Sequence, residues 1–117
     1  TPGTITTVLM CSGKIYFGLI AARDKDSRND VAVIRLEQLY PLPQKKLDGL
    51  HMKYNKAIWF WVQEEPQNMG AASYLKMNLE NINFHIISRK ASASTASGYS
   101  KIHTKEQGEI VEKAFSI

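Results

Sequence analysis

Apolar positions along the 117 residues switch between two periods, and the switching predicts alternating strands and helices. Residues 5–10 are β-branched and apolar, a first strand. Cys11, Ser12 and Gly13 then supply a turn, and Ile15, Leu19 and Ala22 recur at helical spacing. Residues 24–30 are charged and loop-like, and the apolar run 31–36 predicts a second strand. Pro41 and Pro43 punctuate the next loop. Pro43 suits the first turn of a helix, where a missing N–H removes no intrahelical bond, and Leu47, Leu50, His51 and Tyr54 share one face of that helix. The run 57–63 is a third strand, Ala71, Tyr74, Leu75 and Leu79 form a third helical stripe, and residues 83–88 are a fourth strand. Residues 89–100, rich in Ser and Ala, read as a long ordered loop. Thr104 with Gln107 matches a capping box, opening a last helix that buries Ile110, Val111, Ala114 and Phe115.

Four strand–helix units imply an α/β fold: a mainly parallel sheet with helices on both faces, three layers in all, because each crossover is right-handed. In the common doubly wound order, two-one-three-four, the strand order reverses between the first and third strands. Open α/β sheets bind ligands at that reversal, beyond the carboxyl ends of the strands. The crevice would be lined by Cys11, Ser12, Gly13 and Lys14 on one side and residues 63–70 on the other.

That second wall is the most distinctive stretch of the chain. Trp59-Phe60-Trp61-Val62 is apolar enough to be buried on both faces, and Gln63-Glu64-Glu65-Pro66 ends it abruptly. Pro66 is expected to stop the strand and to hold Glu65 extended, with Gly70 opening the next helix. At least one of Glu64 and Glu65 is expected to accept from N–H groups near Gly70 or to pair with a basic side chain. The plainer reading is that these carboxylates only cap a helix or meet nearby lysines.

Composition fits a single domain: 44% of residues are hydrophobic, and a chain of this size buries roughly two-thirds of its unfolded surface. No apolar run is long enough to cross a bilayer. One cysteine cannot form an internal disulfide. The net charge of +4 is spread from Lys14 to Lys113 among acidic residues, without the basic stripe or reader motif that nucleic-acid binding requires. The start at Thr1-Pro2-Gly3 suggests a piece of a longer chain. Ser12-Gly13-Lys14 could receive a phosphate at a helix start, or simply cap it. His51, His85 and His103 lack metal-ligand spacing with each other or with Cys11. Cys11 itself reads as a small packing residue, and the serines have no nucleophile-elbow context. Arg35 would ordinarily pair with Glu37 or Asp30, and Lys45 and Lys46 would lie on a solvated helix face.

Gln63-Glu64-Glu65-Pro66-x-Asn68-x-Gly70 resembles the C-terminal domain of the thiamine-dependent 2-oxoglutarate dehydrogenases. Three further segments agree in order: residues 11–16 (Cys-Ser-Gly-Lys-Ile-Tyr), 33–43 (Val-Ile-Arg-Leu-Glu-Gln-Leu-Tyr-Pro-Leu-Pro) and 88–94 (Ser-Arg-Lys-Ala-Ser-Ala-Ser). Met69, Ala72 and Thr95 depart from the family, which usually has Gln, often an aromatic and often Pro there. The resemblance implies a transketolase C-terminal-like domain, residues 1–117, from a multidomain enzyme, with an antiparallel edge strand upstream of Thr1 or missing. It implies a bacterial, cytoplasmic, homodimeric enzyme of the tricarboxylic acid cycle that decarboxylates 2-oxoglutarate on thiamine diphosphate with magnesium. The succinyl group would pass to a lipoyl-bearing succinyltransferase. The family's Gly-Asp-Gly…Asn cofactor segment does not occur here, so the fragment itself is expected to be inactive and to bind neither cofactor. Its expected roles are dimer building and an effector site for acetyl-CoA or a nucleotide. Lys14, Arg35, Lys45 and Lys46 would converge there, since all four lie at the carboxyl edge of the sheet. The alternative is a free-standing flavodoxin-like module that binds a nucleotide or phosphate.

Overall fold

The computed structural model describes residues 4–37, 42–66, 70–79, 82–89 and 100–115. Strands β1 (Thr7–Cys11), β2 (Val31–Arg35), β3 (Ile58–Pro66) and β4 (Phe84–Arg89) alternate with helices α1 (Ile15–Lys25), α2 (Gln44–Lys53), α3 (Ala72–Asn78) and α4 (Ser100–Phe115). The sheet order is β2-β1-β3-β4, and every pairing is parallel. β1 sits between β2 and β3, with Thr7 opposite Val31 on one side and Ile58 on the other.

The period-two alternation of the two inner strands builds two cores. Val8, Met10, Trp59, Trp61 and Phe84 face α2 and α3, where Leu47, Ala72, Leu75 and Leu79 pack against them. Leu9, Cys11, Phe60, Val62 and Ile87 face the other way, against Ile15 and Leu19 of α1 and Ile110 and Ala114 of α4. Because both faces of β1 and β3 are covered, these strands read as unbroken apolar runs. The result is the three-layer α/β/α arrangement expected of the chain.

Three expectations need correction. β3 does not stop before Pro66 but runs through it. The register slips there: Val62 pairs with Ile87 and Pro66 with Arg89, so residues 63–65 stand opposite Ser88 alone. Such an irregularity absorbs a proline because the regular ladder has already been interrupted. Second, α4 begins at Ser100, so Thr104 lies inside the helix and opens no capping box. Third, Asp30 pairs not with Arg35 but with Arg28, whose Nε donates to Asp30 Oδ1 at 2.9 Å and whose second nitrogen reaches Oδ2 at 3.1 Å. The remaining Arg28 nitrogen donates to the carbonyl of Phe115 at 2.8 Å, and the Thr6 hydroxyl donates to Asp30 Oδ2 at 3.3 Å. One guanidinium thus ties the start of β2 to the end of α4.

Candidate functional site

At the reversal of strand order, the carboxyl ends of β1 and β3 diverge around a crevice of about 510 Å³. Ser12 and Gly13 form one wall, and Trp61, Gln63, Glu65, Gly70, Ala71 and Tyr74 form the rest. Gly13 and Gly70 both adopt left-handed backbone, with φ of 78° and 67°, a conformation glycine takes without strain, and each stands just before a helix, α1 and α3.

The side chain that organises the second wall is Gln63, only 3% exposed. Its Oε1 accepts from the Trp61 indole N–H at 2.8 Å and from the Ala72 backbone N–H at 3.1 Å. Its Nε2 donates to the Glu65 carbonyl at 3.2 Å. The backbone N–H beyond Gly70 that the sequence seemed to offer to a carboxylate therefore goes to a neutral amide. A neutral side chain satisfies buried donors without the desolvation cost of a charge. Glu64 and Glu65 are half-buried beside it. A Cβ built on Gly70 would stand 3.2 Å from Gln63 Oε1 and 3.2 Å from the Glu65 carboxylate, so the absence of a side chain there lets the carboxylate fold over the turn. Asn68, the remaining residue singled out in this turn, lies outside the described residues.

The four cations expected to converge are arranged unequally. Arg35 and Lys46 line a second groove of about 360 Å³ with Leu36, Glu37, Pro43 and Leu47. The Arg35 guanidinium lies 5.4 Å from the Tyr16 ring centre and 5.2 Å from that of Phe17, two rings that themselves meet edge to face at 5.5 Å. These cation–π contacts replace the expected pairing with Glu37. Lys14 at the start of α1 and Lys45 on α2 are exposed and are not among the residues lining that groove.

Cys11 is fully buried. Burial pushes its thiol up to about 12 from 9.0, against the smaller opposing pull of the Arg35 charge, so it packs and does not react. His51 meets Trp59 edge-on at 5.4 Å and His85 lies 5.5 Å from the Phe60 ring; the His103 side chain lies outside the described residues. Among the described residues, no group of three His, Cys, Asp or Glu side chains could hold a metal ion. The described residues do not fit thiamine diphosphate with magnesium, because among them the only charged side chain lining the main crevice is an anion, Glu65. Sequence reasoning found the Gln63 segment but missed Trp61 and Tyr74 as crevice walls. Their apolar character marks them equally well as core.

Comparison with known proteins agrees with this architecture. The chain is 45% identical over 119 aligned residues to a "Multifunctional 2-oxoglutarate metabolism enzyme" of Mycobacterium sp. (strain KMS), covering 96% of this chain and 9% of that protein. It is 42% identical to a "2-oxoglutarate dehydrogenase E1 component" of Rickettsia prowazekii (strain Madrid E), covering 94% of this chain and 12% of that protein. The chain thus spans about a tenth of the length of these relatives. Among solved structures, a "Split gene transketolase, inactive beta4 tetramer" superposes with a TM-score of 0.61 at 11% identity, over 95% of this chain and 39% of that one; at that identity the likeness speaks for the fold. The family model for the 2-oxoglutarate dehydrogenase C-terminal region matches residues 1–115, and the chain belongs to that family.

Proposed function

We propose that this chain is the C-terminal structural and regulatory domain of a thiamine-dependent, succinyl-transferring 2-oxoglutarate dehydrogenase. The full-length enzyme is a homodimer of the bacterial cytoplasm that holds thiamine diphosphate and magnesium outside these residues. It decarboxylates 2-oxoglutarate and passes the succinyl group to the lipoyl arm of its partner acyltransferase in the tricarboxylic acid cycle. The observation that carries this reading is the family match across residues 1–115. A match of that extent does not favour a free-standing flavodoxin-like module.

The regulatory part of the proposal is an anionic effector, the phosphates of acetyl-CoA or of a nucleotide, held by Lys14, Arg35, Lys45 and Lys46. It is supported by the shared groove of Arg35 and Lys46. It is also supported by the aromatic stacking of Arg35, which makes no hydrogen bond among the described residues and so keeps its donors for a ligand.

The test uses the full-length protein. Reduction of ferricyanide by 2-oxoglutarate is expected to require both thiamine diphosphate and magnesium; no turnover, or turnover without them, overturns the enzyme reading. The response to acetyl-CoA is expected to fall in Lys14→Ala and in the Lys45→Ala, Lys46→Ala double variant. An unchanged response in the double variant ends the effector reading alone.

A further inference from the structure

The crevice between β1 and β3 is separate from the cationic groove beside β2, and its chemistry has the opposite sign. Its volume of about 510 Å³ is that of a small-molecule site, which is typically concave, largely apolar and supplied with a few fixed polar groups. Trp61, Ala71 and Tyr74 give it apolar and aromatic walls. Gln63 lines it as well, but the bonds its amide makes to Trp61, Ala72 and Glu65 commit it to the wall.

Glu65 differs. Among the described residues it is the only charged side chain in the lining, and it is half-buried. Its carboxylate has no hydrogen-bond or ion-pair partner among the described residues; the one bond to Glu65 is received by its backbone carbonyl. It is also held in place, since the turn at Gly70 lets it pack closely against the chain and Gln63 fixes the backbone on which it stands. A partly desolvated carboxylate at the wall of a crevice favours a cation or a fork of N–H donors. Between aromatic walls, the cation that fits is a flat one.

We propose that this crevice binds a small flat cationic ligand, an amidinium or a protonated amino-heterocycle, with the ring against Trp61 and Tyr74 and the N–H donors on the Glu65 carboxylate. The same carboxylate repels phosphates and dicarboxylates. The inference does not depend on the effector reading, which uses other residues.

Benzamidine is the probe, titrated by calorimetry into the full-length protein, with neutral benzamide as the comparison of equal shape. Benzamidine is expected to bind, and Glu65→Gln is expected to weaken it by about tenfold or more, the effect of removing one charge-assisted contact. Benzamide affinity is expected to change by less than about twofold in that variant, because it brings no charge to the carboxylate. Tyr74→Ala provides a second variant and is expected to weaken both probes through loss of the ring wall. Thermal melts of both variants establish that they are folded. No heat from benzamidine, an affinity unaffected by Glu65→Gln, or an equal loss of both probes in Glu65→Gln would each overturn the proposal.

Discussion

Replacing Gln63 by leucine should be among the most damaging single changes in the domain. Leucine nearly matches glutamine in volume but removes three hydrogen bonds at once. The Trp61 indole N–H and the Ala72 backbone N–H lose their acceptor, and the Glu65 carbonyl loses a donor. Each buried group left unsatisfied costs about 1–3 kcal/mol. The bond to the Glu65 carbonyl is only part-buried, and a carbonyl that water can reach regains a partner, so about two full penalties remain. Added apolar burial returns about 1 kcal/mol, leaving a net loss of about 1–5 kcal/mol. That is a large share of the roughly 5–15 kcal/mol that stabilises a typical domain. Urea unfolding should show the loss as a lower midpoint at unchanged slope. A double-mutant cycle locates the source. In a Trp61→Phe background one donor is already gone, so Gln63→Leu should cost about 1–2 kcal/mol less than in the wild type. A loss below about 1 kcal/mol, or full additivity in the cycle, would refute the assignment of Gln63 as the residue that holds this turn.

Other outcomes follow from the same structure. Gly70→Ala should destabilise by about 1–3 kcal/mol, since its φ of 67° and the 3.2 Å contacts of a new Cβ both oppose a side chain. Gly49→Ala, inside α2 with nothing within 4 Å, should instead stabilise by about 0.5–1 kcal/mol; thermal melts of the two variants should move in opposite directions. Cys11 should resist Ellman's reagent at neutral pH until the chain is unfolded. Because its folded pKa is raised from 9.0 to about 12, its contribution to stability is intact below 9.0 and is lost as pH climbs towards 12. Asp30 has the opposite sign: hydrogen bonding from Arg28 lowers its pKa below 3.8. Its contribution is therefore present above 3.8 and lost as pH falls through the lowered value. Arg28→Met should abolish that acid-side component and speed amide exchange in the last turn of α4.

The alternating architecture was legible because both cores depend on the period of apolar residues, and β1 and β3 are covered on each side. The placement of the crevice was legible too, since it depends only on the order of strands and the ends they share. Element ends were harder to read. Pro66 signals a strand end by its chemistry, yet the register slip over residues 63–65 carries the strand through it. Between Ser100 and Thr104 only Ile102 is apolar, too little to make a stripe, so the beginning of α4 at Ser100 has no periodic signal. The role of the adjacent amide was not legible: Gln63 Oε1 accepts from two donors, and a neutral acceptor meets buried N–H groups without the cost of burying a charge. Arg28 joins residues 87 positions apart in sequence, and nothing local announces such a contact.

The arrangement of the two cores also sets an order of completion during synthesis. The face carrying Trp59, Trp61 and Phe84 is covered by α2 and α3, which precede β4 in the chain. The opposite face, with Phe60, Val62 and Ile87, waits for Ile110 and Ala114 of the last helix. A nascent chain that has already paired all four strands has this face covered by α1 alone, and the remainder stays apolar and open until α4 has been made. Exposure of that kind is what draws chaperones and drives aggregation. A polypeptide stopped before α4 should be captured as inclusion bodies, whatever the quality of its sheet.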